Sequence, residues 1–474
     1  MSDSELVGAP SGSGAANGEG HPWRGVGPLT KRLFGLVVIV FVGDVLFWEQ
    51  RLGASVPLFA TVLGVVSAVA NGNGGHRVLA CVIMVAGCLP ALDYLQPLSV
   101  VIMLAGTVLS LSVLHAPMRT PWLKVCASAW ARIAALPVAG LRDLWLGGRA
   151  VAMPTSAKIG RQSRDWAFPA GGAAVLLGLL TEANPIFASW LWGILDIDVD
   201  PQRLLGRILL WAGLGLLVWP LLVPAAPGAS APALPGMPFF TRIGLNPTSV
   251  ARALIVFNLI LASQTLSDGV VLWGEQGLPA GMSYAEYAHR GAYPLLATAL
   301  LAGAFALAAR PFLGERNWLT WLMMIWLGQN VLLCASTAFR LALYVDAYGL
   351  TYLRVYVIMW VPLVAAGLVL IAVQIWAGFS KFWLILRSTA LGIALLYATS
   401  FVNVAALIAE HNLARADKID WAYVCDLPDT AAAAIRPHLP ARQSRSCGRF
   451  EAIEGWRDWS FRRWLVARRL QAVE

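Results

Sequence analysis

Residues 353–377 read LRVYVIMWVPLVAAGLVLIAVQIWA, and their one charged side chain, Arg354, stands at the very start. A helix needs about 20 mainly apolar residues to cross a bilayer core roughly 30 Å thick. This run meets that need, and 383–408 meets it again after Gly378-Phe-Ser-Lys381. Working outward, further stretches qualify, some marginally: 33–50, 53–71, 77–95, 97–115, 167–195, 204–226, 250–273, 291–310 and 318–340. The composition agrees. Of 474 residues, 58% are hydrophobic and 13% are charged, about half the charge of an ordinary soluble domain. A soluble enzyme, a disordered chain and a secreted disulfide scaffold are excluded. The expected fold is all-α, a polytopic transmembrane helix bundle of about eleven spans with a cytoplasmic N-terminus. Asn184-Pro185 lies inside the long 167–195 run. A kink is expected there, because proline removes a donor and clashes with the preceding turn.

Three parts follow from this. Residues 1–30, rich in Ser, Gly and Ala, form a disordered cytoplasmic leader with no signal-peptide core. Residues 31–409 form the membrane domain, and 410–474 an extracytoplasmic tail. Alternating the spans from an inner N-terminus puts basic residues on inner against outer segments at roughly three to one, as the positive-inside rule requires. The tail holds many further basic residues against that rule, but long segments cross largely regardless of charge. The net charge of +9 thus suits a membrane surface rather than nucleic acid. The inner loop 116–166 mixes Trp122, Trp130 and Trp145 with Arg and Lys. It suits either a helix lying on an anionic leaflet or a cytosolic connector.

No catalytic signature, phosphate loop or metal-ligand spacing is present, so no metal and no cofactor are expected. Ionisable and polar residues inside spans are costly and therefore informative. Asp44, Glu182, Gln264 and Gln329 are the intramembrane candidates. Gln264 and Asp268 share a helical face, as do Gln329, Ser336 and Arg340. With Glu286, His289, Arg290, Asp346 and Arg354 they form a candidate outward-facing polar pocket. A structural reading stands beside it. Ser283 and Glu286 have capping-box spacing, Glu286 and Arg290 are a favourable i,i+4 pair, and Arg340 with Asp268 reads as an ion pair tying two spans. An outer tail permits a Cys425–Cys447 disulfide, whereas an inner tail leaves two thiols. On a helical wheel the arginines of Trp456–Leu470 do not segregate, so no amphipathic helix is expected there.

Arg252-Ala-Leu-Ile-Val-Phe-Asn258, Met282-Ser-Tyr-Ala-Glu-Tyr-Ala-His-Arg-Gly-Ala-Tyr-Pro-Leu295, Gln329-Asn330 and Tyr344-Val-Asp-Ala-Tyr-Gly-Leu-Thr351 with Arg354 stand in order along the chain. With Asp44, Phe47-Trp48 and Ala183-Asn184-Pro185, they resemble a bacterial multipass membrane family catalogued only as a domain of unknown function. The resemblance covers roughly 33–410 and leaves out the tail from about 415. It implies a bacterial cytoplasmic (inner) membrane protein and carries no substrate or reaction.

The expected function is a non-enzymatic envelope component, that is a sensor, regulator or scaffold. Its partners are the lipid bilayer and an envelope protein or lipid. A transporter or flippase is the alternative, as is a membrane enzyme acting on a lipid-linked substrate.

Overall fold

The structure, a computed structural model, describes residues 28–71, 76–134, 200–222, 246–270, 284–313, 317–415, 419–440 and 447–472, with isolated residues between 173 and 187. Through most of 284–296 it describes the backbone alone. Among the described residues there are helices and no strand. They are α1 (Pro28–Phe47), α2 (Ser55–Asn71), α3 (Arg77–Asp93), α4 (Pro97–His115), α5 (Pro201–Leu222), α6 (Pro247–Asp268), α7 (Tyr284–Ala309), α8 (Asn317–Tyr348), α9 (Tyr352–Trp376) and α10 (Lys381–Ser400). Four short helices follow: α11 (Val404–Leu413), α12 (Trp421–Cys425), α13 (Ala432–Ile435) and α14 (Phe461–Gln471). Residues 122–134 are also helical.

Six of these helices, α4, α5, α6, α8, α9 and α10, are long and apolar enough to cross a membrane. Local chemistry fixes their starts. Gln96 and Ser99 form a reciprocal capping box with Pro97 at the first helical position, and Asn246, Ser249 and Pro247 do the same for α6. Ser380 accepts from the Trp383 backbone N–H at the head of α10. The 167–195 stretch lies largely outside the described residues, and Glu182 with it. Asn184 itself interrupts a helix there. Its backbone N–H still bonds Leu180 O, while its side chain accepts from Phe187 N and opens the next turn.

The helices form two bundles, each with its own core. The first, α1–α5, packs around Ile39, Leu63, Leu111 and Val218, and the 122–134 helix adds Val125 and Ala129. Within it α3 and α4 cross at Gly87 and Gly106, where a Cβ on Gly87 would lie 3.0 Å from the Gly106 Cα. Such small-residue crossings let membrane helices approach closely. The second bundle, α6–α10, packs around Leu254, Ala306, Met323, Leu327 and Leu368. Polar tethers join the bundles. Tyr397 donates to Ala86 O at 2.9 Å, and Gln96 Nε2 to Ser400 O at 2.9 Å.

Helix α8 runs on to Tyr348, beyond the 318–340 expected for its span. At 1.5 Å per residue it is about 48 Å long, more than a bilayer core needs. Its extra turns stay apolar because they are covered: Leu341 and Val345 pack with Leu350, Val355 and Ile408. That cover is a folded cap, α11–α14, lying across one end of both bundles. Ala405, Ala409, Val424, Ala431 and Ile435 form its core beside the Cys425–Cys447 disulfide.

Candidate functional site

The buried charged residues, Asp44, Asp268, Arg340, Asp458 and Arg462, gather at the end of the molecule that carries the cap. In the second bundle, α6 delivers Gln264 and Asp268, and α8 delivers Ser336 and Arg340. Arg340 forms an ion pair with Asp268, Ser336 Oγ donates to the same carboxylate, and Gln264 Nε2 donates to its Oδ1 at 2.8 Å. Both charged side chains are almost fully enclosed, at 5% and 6% exposure. A buried charge is tolerated only when paired and hydrogen-bonded, and this carboxylate takes donors on both oxygens. Four residues of the expected pocket region therefore meet in one closed cluster.

The other candidates sit apart from it. Asp346 is exposed on the last turn of α8. Arg354 donates to the carbonyls of Tyr348 and Gly349 and lies over the Tyr344 ring, 4.3 Å from its centroid. It thus satisfies the C-terminal carbonyls of α8, a helix-capping role. Gln329 is partly buried, and its side-chain oxygen has no partner among the described residues. Glu286, His289 and Arg290 lie on the first two turns of α7, and their side chains are outside the described residues.

In the first bundle Asp44 is buried on α1 near the cap end. It accepts from Arg207 Nε at 2.7 Å and from Trp211 Nε1 at 2.9 Å, both on α5. The Arg207 side chain is 44% exposed and lies over the Trp48 and Trp211 rings.

A third pair was not foreseen from the sequence. Arg462 of α14 is buried and pairs with Asp93 at the end of α3. It also donates to Val402 O and Ser400 O at the end of α10. One guanidinium thus ties the cap to both bundles, and its five donors in a planar fork suit it to that work. Its guanidinium carbon lies over the Tyr94 ring, 5.1 Å from the centroid. The lone acid closing the 77–95 stretch was the available signal.

Backbone contacts complete the cap's seat. Ala54 N donates to Trp459 O at 2.8 Å, and a Cβ on Gly53 would meet the Asp458 carbonyl carbon at 2.5 Å. On the other bundle Asn412 brackets the α8–α9 turn, accepting from Leu350 N at 2.6 Å and donating to Leu350 O at 2.9 Å. Gly349 there has φ +76°, and a Cβ would meet Asn412 Oδ1 at 2.7 Å. Only glycine fits both the dihedral and the space. Helix α14 buries Arg462, Val466 and Leu470 on one face. The sequence reading found no such face because an arginine belongs to it.

Among the described residues no group of three or more His, Cys, Asp or Glu side chains is placed to hold a metal ion. No curated protein and no solved structure matches the chain. Residues 79–437 match the model of a family described as a domain of unknown function, DUF4153. The match takes in Cys425 but stops short of Cys447 and Arg462, so it reaches farther into the tail than the resemblance in the sequence did. Running from α3 to α13 as it does, this match identifies the chain as a member of the DUF4153 family, and six of the chain's described helices are long and apolar enough to cross a membrane.

Proposed function

We propose that the chain is a non-enzymatic component of a bacterial cytoplasmic membrane, a scaffold or sensor that presents a disulfide-closed cap on the outer side. The observation that carries this reading is the closure of the Asp268 cluster. Its carboxylate, the strongest catalytic or ion-relay candidate, is engaged by Arg340, Ser336 and Gln264. Arg354 is likewise engaged in capping α8. These groups serve to hold helices together. The cap presents Trp456 and Phe461 exposed on its surface.

Several features support the orientation. The described helix ends alternate under the cap except that α4 and α5 both begin there, which fits the further span that the sequence leads one to expect between them. A Cys425–Cys447 disulfide fits an oxidising compartment. Among the described residues the helix ends opposite the cap carry Lys31, Arg32, Arg77, Arg310 and Lys381 and no Asp or Glu, which suits an inner side. A transporter or flippase is the second reading. It draws on the separateness of the two bundles and on α10, which buries only Leu384 and Ser400.

The test is complementation of the envelope defect of a deletion strain by an Asp268→Leu, Arg340→Met double variant. Replacing a buried ion pair with apolar residues of similar size is often neutral for stability. A scaffold keeps its function in this variant. Loss of function with protein inserted at wild-type levels would overturn the proposal in favour of transport or catalysis.

A further inference from the structure

The end of the first bundle opposite the cap holds a second polar assembly that the cap-side reading does not use. Arg32 donates to Asn71 Oδ1 at 2.7 Å, and Asn71 in turn donates to Leu222 O at 2.7 Å, joining the ends of α1, α2 and α5. Ser67 Oγ lies 3.5 Å from His115 Nε2, and both Arg32 and Arg132 are close enough to act on His115 electrostatically. Arg132 comes from the 122–134 helix, which Val125 and Ala129 hold against the bundle core. Its Nε and Nη1 are shielded from solvent, and among the described residues no acceptor reaches either. Leaving guanidinium donors buried without an acceptor is costly. No described Asp or Glu lies at this end to supply one.

Beside this cationic cluster runs an apolar groove of about 130 Å³ between α1 and α2. Phe34, Val38, Val65 and Val69 wall it, Gly35 keeps it open against Val66, and Lys31 lies at the end nearest the helix start. The two observations are independent and point to one ligand. Unpaired, shielded cationic donors call for an anion. An adjoining apolar groove at membrane depth calls for a hydrocarbon chain. We infer that this end of the first bundle binds an anionic phospholipid, its acyl chain in the α1–α2 groove and its phosphate held by Lys31 and Arg132. The exposed Trp122, Leu123 and Trp130 of the 122–134 helix suit the headgroup layer around such a site.

Native mass spectrometry of the full-length protein in detergent, titrated with phosphatidylglycerol, phosphatidylcholine or inorganic phosphate, tests this. Phosphatidylglycerol is expected to stay bound and phosphatidylcholine to be lost. Lys31→Gln and Arg132→Gln should each weaken phosphatidylglycerol about fivefold, the worth of one cation at an anionic surface. Val69→Trp, which fills the groove from an exposed position, should weaken it as well. Equal retention of the two lipids would overturn the proposal, as would unchanged phosphatidylglycerol binding in Lys31→Gln. Displacement of the lipid by inorganic phosphate, with Val69→Trp silent, would make the site one for a free phosphate and would also overturn it. Should Arg132→Gln not fold, Lys31→Gln decides alone.

Discussion

Each bundle carries one buried aspartate near the cap, and the two are paired in different ways. Asp268 and Arg340 are both enclosed, whereas Asp44 is enclosed and its Arg207 is 44% exposed. The difference lies in what remains when one partner is removed. Water can reach the outer side of Arg207 and the neighbouring Trp211 N–H still holds Asp44. Asp268 would keep its neutral donors Ser336 and Gln264, but Arg340 is as enclosed as its partner, so no water-facing side remains and the pairing is a condition of packing α6 against α8. The first bundle's pair therefore reads as a surface anchor at a helix end, and the second's as part of the core.

That contrast can be broken or sharpened by substitution. Arg340→Met alone leaves the Asp268 charge enclosed and should cost about 3–5 kcal/mol, read as a fall in the thermal midpoint of the detergent-purified protein. Adding Asp268→Leu should recover most of that loss. If it does not, the pair is more than a packing device. Next in size is the cap's own staple. Cys425→Ser with Cys447→Ser opens a loop of sequence separation 22 and should lower stability by about 3 kcal/mol in the chain-entropy model. Proteolysis of the tail should rise while the bundles stay resistant.

Smaller effects are expected where the cap meets each bundle. Gly349→Ala puts a Cβ at a positive φ against Asn412, at a cost of about 1–2 kcal/mol. It should expose the cap to protease from the second-bundle side. Gly53→Ala probes the first-bundle side through Asp458 in the same assay. Equal sensitivity at both sites would show a cap gripping the two bundles alike. Arg207→Gln should have the smallest effect, a slight shift in thermal midpoint well below that of Arg340→Met. An Arg207→Gln loss as large as that of Arg340→Met would erase the contrast between the bundles.

Much of the fold was legible because membrane crossing imposes a crude rule. The 97–115 and 353–377 stretches became α4 and α9 almost residue for residue, since only long apolar helices satisfy their own backbone in lipid. The extension of α8 to Tyr348 was not legible, because the cap that shelters Leu341 and Val345 comes from distant residues. The site divides in the same way. Gln264 with Asp268, and Ser336 with Arg340, were recognisable by helical spacing, and the fold joined the two faces. Asp93 and Arg462 are 369 residues apart, and no local pattern relates them. Arg462 lies in a stretch whose mixed Trp, Phe and Arg content looked unpatterned, because the buried face of α14 includes the arginine itself.

The claim on which the account turns is that the cap is a disulfide-closed unit on the outer side of the membrane. Thiol labelling of intact cells with a membrane-impermeant maleimide tests it most directly. The protein should carry Cys425 and Cys447 in a background where Cys81, Cys88, Cys126 and Cys334 are replaced. The account predicts no labelling without reductant and full labelling of both cysteines after reduction of the intact cells. Labelling that requires permeabilisation would place the cap in the cytoplasm, contradict the eleven-span alternation and remove the outward-facing surface on which the proposed function rests.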